Sequence, residues 1–245
     1  EANYVVSWFR RLSWAVGPLS GITAFNHGGF DMLMACSCLY SLIALVLVAS
    51  VRFPFKAPDD DISLFSTDRF FLRGSGALFI NLFLSMIAIG VVMSVENDAR
   101  FYTMMLLGFA LAALAQKYAF VNAELKSETI TGLLLMASAL AMRFVYNIQI
   151  VDTISPVLTG MGSGIICSRF LLFFIKLSGH CQRGTSQSSF FLSCGTGVFT
   201  GLAIGWAVFN HDEQHILLAG LVSIVIALIM YVTFTHRWYI KHKNR

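Results

Sequence analysis

The stretch Leu42–Val48, with the sequence LIALVLV, decides the fold of this 245-residue chain. Its side chains are apolar in every direction, which neither an alternating strand nor an amphipathic surface helix explains. A helix that crosses a bilayer needs about 20 mostly apolar residues. A membrane β-barrel would instead show short strands of alternating polarity. The stretch therefore predicts a transmembrane helix and an all-α, polytopic membrane protein.

Comparable apolar stretches continue along the whole chain. Hydrophobic residues make up 57% of it and charged residues only 12%, about half the charged share of a soluble domain. A water-soluble fold could not hydrate such a surface, so soluble classes are excluded. Eight transmembrane helices are predicted, at about residues 3–25, 30–51, 70–95, 102–121, 129–148, 154–177, 188–209 and 215–236.

Basic residues concentrate in alternate connections between these stretches. Twelve of the seventeen follow the second, fourth or sixth stretch or lie in the C-terminal tail. The opposite connections hold Arg100 together with several acids. Because Lys and Arg collect on the cytoplasmic side, both termini are predicted to lie in the cytoplasm, with the protein in a plasma (inner) membrane. Topology thus explains the net charge of +4, and no nucleic-acid partner is expected.

The cysteines and histidines show no metal-ligand spacing, so no metal or cofactor is expected. The five cysteines are odd in number and lie mostly in apolar stretches, where a thiol behaves as a small hydrophobic group. The six histidines lie in or beside the connections. They are interpreted as residues at the membrane surface.

The longest polar connection divides the chain unequally. It spans residues 53–69 and contains Pro54, Pro58 and three consecutive aspartates, Asp59–Asp61, which break any helix there. The predicted parts are two helices in 1–52, a cytoplasmic loop in 53–69, and six helices with a tail in 70–245. The chain begins with Glu1 and shows no signal-peptide pattern, and we expect an upstream portion.

Several features together resemble the major facilitator superfamily of twelve-helix secondary transporters. They are the motif Gly17-Pro18-Leu19-Ser20-Gly21, the charged central loop, the six-helix unit after it, and the segment 180–185, HCQRGT, which enters a helix striped with Gly197, Gly201 and Gly205. So aligned, the chain covers the fifth to twelfth helices, and four N-terminal helices of the same chain would be its partners. The match departs from the family in the loop 116–122, which keeps one base and has no Asp.

The resemblance implies a permease that moves a small solute by alternating access between two six-helix bundles in the bilayer. The Gly-Pro-x-x-Gly motif resembles part of a signature of drug and proton antiporters, which hints at export. A coupling ion is implied, with H⁺ the first candidate, but no residue of this chain identifies it. Substrate and direction stay undetermined.

Four arginines remain within the predicted helices, namely Arg10, Arg11, Arg143 and Arg169. A charge at bilayer depth costs about 2.5 to 3.5 kcal/mol, so each needs a partner, a cavity or a nearby interface. Arg10 and Arg11 are adjacent and point about 100° apart. A guanidinium in a cavity favours an anionic or carboxylate-bearing solute. These residues are predicted to line the substrate pathway, with snorkelling to the interface as the alternative.

Two neutral polar residues are further candidates for that pathway. Asn81 and Ser85 lie four apart and therefore on one helix face, as Asn147 does relative to Arg143. The alternative for each is a hydrogen bond between helices. Intramembrane acids are nearly absent.

Small residues are predicted to serve helix packing or gating, because glycines at four-residue spacing let helix backbones approach closely. In the cytoplasmic loop after the sixth stretch, Arg183 and Gly184 are the residues singled out. The packing or gating candidates are Gly17, Pro18, Gly21, Gly160, Gly164, Gly197, Gly201 and Gly205.

Two other function classes stay open. One is a membrane receptor or assembly subunit that transports nothing. The other is a membrane enzyme acting on lipid-linked substrates, for which His180, Cys181 and Arg183 are the nearest cluster. No acidic residue accompanies that cluster, so catalysis is not expected.

Overall fold

The computed structural model describes residues 2–51, 70–146, 148–179, 182–209 and 212–243, and these residues form helices without any strand. Seven of the helices are long and apolar enough to cross a membrane, which confirms the predicted all-α class. The predicted loop 53–69, Asn147, His180 and Cys181 lie outside the described residues.

From α2 onward, the described helices follow one another closely along the chain. They are α1 (Ala2–Ser50), α2 (Gly76–Val95), α3 (Ala99–Leu114), α4 (Leu125–Val145), α5 (Gln149–Leu177), α6 (Arg183–Ala203), α7 (Glu213–Met230) and α8 (His236–His242). Three π-helical turns extend α3, α6 and α7, at Ala115–Ala119, Ile204–Val208 and Tyr231–Thr235.

Helix α1 is broken near its middle and folds back on itself. Gly28 has φ −141° and ψ 15°, and Gly29 has φ 66° and ψ −156°, so neither is helical. The positive φ of Gly29 is one that glycine adopts without strain. A Cβ built on Gly21 would lie 3.6 Å from Leu33 Cδ1, although twelve helical residues would separate them by about 18 Å. The two parts, 2–27 and 30–50, therefore pack side by side.

Helices α2 to α7 fall into two units of three consecutive helices, and the helices of one unit pack mainly on those of the other. The most extensive contacts join α2 with α6 and α7, α5 with α3 and α4, and α4 with α7. Exchanging α2 with α5, α3 with α6 and α4 with α7 leaves this pattern unchanged. The π-helical turns after α3 and α6 occupy equivalent places in the two units. The units are α2–α4 and α5–α7.

The two equivalent crossings use the same kind of residue. A Cβ built on Gly90 of α2 would lie 3.0 Å from Gly201 Cα of α6, and one built on Gly160 of α5 would lie 3.2 Å from Gly108 Cα of α3. One turn further along each pair, small residues meet again, as Gly205 with Ser94 and Gly164 with Ala112. Such contacts let helix backbones approach closely, which is a main source of association in lipid.

Helices α5 and α6 begin earlier than predicted, because polar residues form their first turns. Arg183 and Gly184 were predicted in a cytoplasmic loop, but they form the first turn of α6. The predicted start at 188 came five residues too late, because the segment 183–187 contains no proline and its one glycine costs a helix only about 1 kcal/mol. Helix α5 likewise begins at Gln149 and holds Pro156 in its second turn, where the proline removes one hydrogen bond of the helix.

Candidate functional site

The candidate site lies where the first part of α1 packs on α3 and α5. Arg11 is buried there, with 2% of its surface exposed. Its Nη1 donates to the Gly164 carbonyl at 3.0 Å and to Ser168 Oγ at 2.6 Å. Ser168 Oγ lies 3.1 Å from Gln116 Oε1, so it can donate to that amide while it accepts from Arg11. The cluster thus joins α1, α5 and the π-helical turn after α3.

Arg10 turns toward a different helix. Its Nη2 donates to the Phe191 carbonyl of α6 at 3.2 Å, and its guanidinium lies 4.4 Å from the centre of the Phe191 ring. Arg11 lies over Trp8, 4.3 Å from the ring centre. Cation–π contacts of this kind stabilise a desolvated guanidinium. The divergence expected for adjacent helical residues therefore links α1 to both α5 and α6.

The contact between Arg11 and α5 lies near the middle of that helix. Gly164 is about 22 Å along the axis from Gln149 and about 20 Å from Leu177, at 1.5 Å per residue. If α5 crosses the membrane, as its length and hydropathy allow, the guanidinium of Arg11 is held at about midplane depth. That depth is where a charge is most costly and most often functional.

Arg143 lies near the end of α4, among the helix ends that the positive-inside rule assigns to the outer side of the membrane. It forms an ion pair with Glu96, and a second carboxylate, Glu213, lies 3.5 Å from its Nη2. Burial raises the pKa of Glu96, and the charge of Arg143 acts against that rise. Tyr102 donates its hydroxyl to the Glu96 carbonyl at 3.1 Å. Arg143 therefore joins α4 to the end of α2 and the start of α7.

Arg169 is paired near the opposite ends of the helices. It forms an ion pair with Glu128, whose side chain is 2% exposed against 19% for Arg169. Glu128 lies in the first turn of α4. The expectation that intramembrane acids are nearly absent missed this residue, because the fifth predicted stretch was taken to begin one position later, at 129. A base about two turns from the nearer end of a predicted transmembrane helix was the signal that an acid had to be nearby.

Asn81 and Ser85 lie in a helix interface. Asn81 Nδ2 donates to the Ala227 carbonyl at 2.9 Å, and Ser85 Oγ donates to the Asn81 carbonyl at 2.9 Å. Both residues are fully buried. The Asn81 contact is that of the alternative interpretation, a hydrogen bond between helices, whereas Ser85 bonds within α2. Neither contact places a side chain on a cavity.

The small residues predicted for packing or gating separate into two groups. Those in α5 and α6 are crossing points, and a Cβ built on Gly197 would lie 2.6 Å from both Phe83 O and Met86 Cβ. Gly17 has no atom within 4 Å of such a Cβ, and Pro18 lies inside α1. The residues of α5 and α6 are fixed by packing, Gly21 packs against Leu33, and Gly17 faces open space.

Comparisons of the chain with protein-family models, with curated proteins and with solved structures find no match. Within the described residues, no group of three or more His, Cys, Asp or Glu side chains is arranged to hold a metal ion. The resemblance to the major facilitator superfamily stays a prediction. Function is argued below from the packing of the helices and from the buried arginines.

Proposed function

We propose that the protein is a secondary transporter that moves a small anionic solute across a membrane by alternating access. The observation that carries the proposal is the equivalence of the units α2–α4 and α5–α7. Many secondary transporters are built from such internal repeats, with the substrate near the midplane. The proposal includes eight crossings and an architecture of the major facilitator type.

Inverted orientation follows from the helix count within each unit. Three crossings carry the chain from one side of the membrane to the other, so the second unit starts on the side opposite to the first. Two packed units with equivalent helix contacts and opposite orientation would provide two related conformations, one open to each side. The glycine crossings between α2 and α6 and between α3 and α5 join one unit to the other.

The eighth crossing comes from the break in α1. The parts 2–27 and 30–50 hold 26 and 21 residues by their bounds, and at 1.5 Å per residue each is longer than the roughly 30 Å hydrocarbon core. Because they pack side by side, each would cross once. This gives an even number of crossings and returns both termini to the cytoplasmic side.

Arg11 is the proposed solute-binding residue. In the structure its guanidinium binds the Gly164 carbonyl and Ser168 hydroxyl, which are neutral acceptors that a carboxylate or phosphate would outcompete. A guanidinium presents paired N–H groups that match such anions in a bidentate geometry. Binding an anion would therefore release α1 from α5, which couples solute binding to movement. Arg10, held by the Phe191 carbonyl and ring, keeps α1 against α6 in the same step.

Transport into liposomes tests the proposal. The full chain is reconstituted, and uptake is measured for a panel of labelled mono- and dicarboxylates, inorganic phosphate and sulfate, with neutral sugars for comparison. We expect at least one anion to enter, and Arg11→Gln to reduce its uptake tenfold or more. Arg100→Gln, at an exposed position outside the site, is the matched control and should transport normally.

A second variant guards against misfolding of Arg11→Gln. Ser168→Ala removes one acceptor of Arg11 and leaves the charge in place, so it should change the apparent affinity for the anion. The proposal is wrong if no anion of the panel is transported, or if Arg11→Gln and Ser168→Ala both transport like the unmodified protein at equal incorporation.

A further inference from the structure

A groove of about 620 Å³ opens at the helix ends that the positive-inside rule assigns to the cytoplasm. It lies between the start of α2, the end of α5 and the helix α7–α8, far along the chain from the arginine site. Arg73, Gln182 and His242 line its polar end. Gly74, with φ 91°, makes the turn that brings Arg73 to the groove.

The other end of the groove is apolar. Ile80, Met230 and Phe234 line it, and Ile80 and Phe234 are about half exposed. From His242 back to Met230 the helix rises about 18 Å at 1.5 Å per residue. The groove therefore runs from the membrane surface into the depth of the hydrocarbon. Phe234 belongs to the π-helical turn Tyr231–Thr235, a type of irregularity that is frequent at functional sites.

Trp238 stands between the two ends. Its ring stacks on that of His242 at 4.6 Å between centres, and its carbonyl lies 2.8 Å from His242 Nδ1. Tryptophan is enriched at the level of lipid headgroups because its ring is amphipathic. The pair fixes the depth at which the groove changes from polar to apolar.

The segments that form the groove carry charge of one sign. The three segments that form the groove, residues 70–80, 174–188 and 230–243, contain no Asp or Glu. Their basic residues within the described structure are exposed. They are Arg73, Lys176, Arg183, Arg237, Lys241 and Lys243.

We propose that this groove is a binding site for one anionic phospholipid of the cytoplasmic leaflet. The phosphate lies at Arg73 and His242, and an acyl chain follows Ile80, Phe234 and Met230 into the bilayer. Basic pockets between transmembrane helices on the cytoplasmic side suit such headgroups. The apolar depth distinguishes a lipid from a soluble phosphate, which would use the polar end alone. The site is independent of the solute that the protein carries.

Quenching of Trp238 fluorescence by brominated lipids tests the site. The full chain is placed in vesicles with a brominated phosphatidylglycerol or a brominated phosphatidylcholine at equal mole fraction. The signal of Trp238 is the difference between the unmodified protein and Trp238→Phe. We expect phosphatidylglycerol to quench it several-fold more effectively. Arg73→Gln should lower that preference about fivefold, as expected for loss of one basic contact, whereas Arg100→Gln should not change it.

Salt provides a measurement that needs no variant at the site. At 1 M salt the screening length falls to about 3 Å, so the preference for phosphatidylglycerol should shrink in the unmodified protein. Equal quenching by the two lipids would show an unselective apolar groove and overturn the proposal. Quenching by neither would show that protein covers the groove, which also overturns it. Added inorganic phosphate that abolishes the preference would identify a soluble anion as the occupant.

Discussion

Replacing Arg143 by Gln is expected to destabilise the protein in a way that depends strongly on pH. The change removes the only cation that pairs with Glu96 in the described part of the chain and leaves that carboxylate in a buried site. Burial already raises the pKa of Glu96, and Arg143 is the largest influence that lowers it. In the variant, the pKa of Glu96 therefore rises further.

The magnitude follows from the cost of protonating Glu96. A carboxyl with an ordinary pKa of 4.5 takes up a proton near pH 7 at a cost of about 3.4 kcal/mol, and near pH 5 at about 0.7 kcal/mol. The first value is an upper limit on the loss of stability that an unpaired Glu96 can cause, because the carboxyl can be protonated instead. It agrees with the roughly 3 to 5 kcal/mol lost when one partner of a buried ion pair is removed. A carboxyl group whose pKa is raised by folding lowers the free energy of unfolding. This loss is absent below the ordinary pKa and grows as the pH rises toward the pKa in the folded state.

We therefore expect Arg143→Gln to lower the free energy of unfolding by about 3 kcal/mol near pH 7 and by about 1 kcal/mol near pH 5. Denaturant titration in detergent micelles, followed by far-ultraviolet circular dichroism, measures both values. Glu96→Gln should cost less, about 1 kcal/mol, since Arg143 keeps Glu213 at 3.5 Å. Arg100→Gln, exposed on the same side, is the control.

Two results would refute this reasoning. A loss for Arg143→Gln that is the same at both pH values would show that Glu96 does not titrate between them. A loss for Glu96→Gln as large as that for Arg143→Gln near pH 7 would show that Glu213 does not take over as partner.

Three further substitutions have expected effects on the free energy of unfolding in micelles. Gly201→Ala should cost about 1 to 3 kcal/mol, because its Cβ would meet a backbone nitrogen of α2 at 2.7 Å. The control Gly184→Ala has nothing within 4 Å of the added Cβ and should cost nothing. Equal losses for the two variants would contradict the close crossing of α2 and α6. Glu128→Gln should cost about 2.5 to 3.5 kcal/mol by leaving the charge of Arg169 uncompensated, and a smaller loss would mean that Arg169 reaches water. Asn81→Ala should cost about 0.6 to 1.7 kcal/mol for one hydrogen bond between helices, and a change in transport without that loss would return it to the pathway.

The sequence predicts the helical class well because apolar composition over 20 residues is a local property. It also predicts that Arg10 and Arg11 diverge, since that depends only on the 100° step of a helix. The equivalence of α2–α4 and α5–α7 was not predictable in the same way. The equivalence depends on which helices contact each other. The sequence around a glycine does not indicate which helix it contacts, as is the case for Gly90, Gly108, Gly160 and Gly201. The role of Asn81 was not predictable for the same reason. A polar residue of this type can bond to another helix in a buried interface or line a cavity, and the sequence does not separate the two.

The four intramembrane arginines divide by what binds them, and that division separates stability from transport. Arg143 and Arg169 are each held by a carboxylate near a helix end, where removing one partner leaves a charge behind and unfolding is the main consequence. Arg11 is held by a carbonyl and a hydroxyl of α5, and both acceptors remain neutral when it leaves. A solute anion that displaces those two acceptors leaves neutral groups behind, whereas displacing Glu96 or Glu128 would expose a carboxylate to lipid. The proposed movement accordingly starts at Arg11, with the two ion pairs as fixed ends of the bundle.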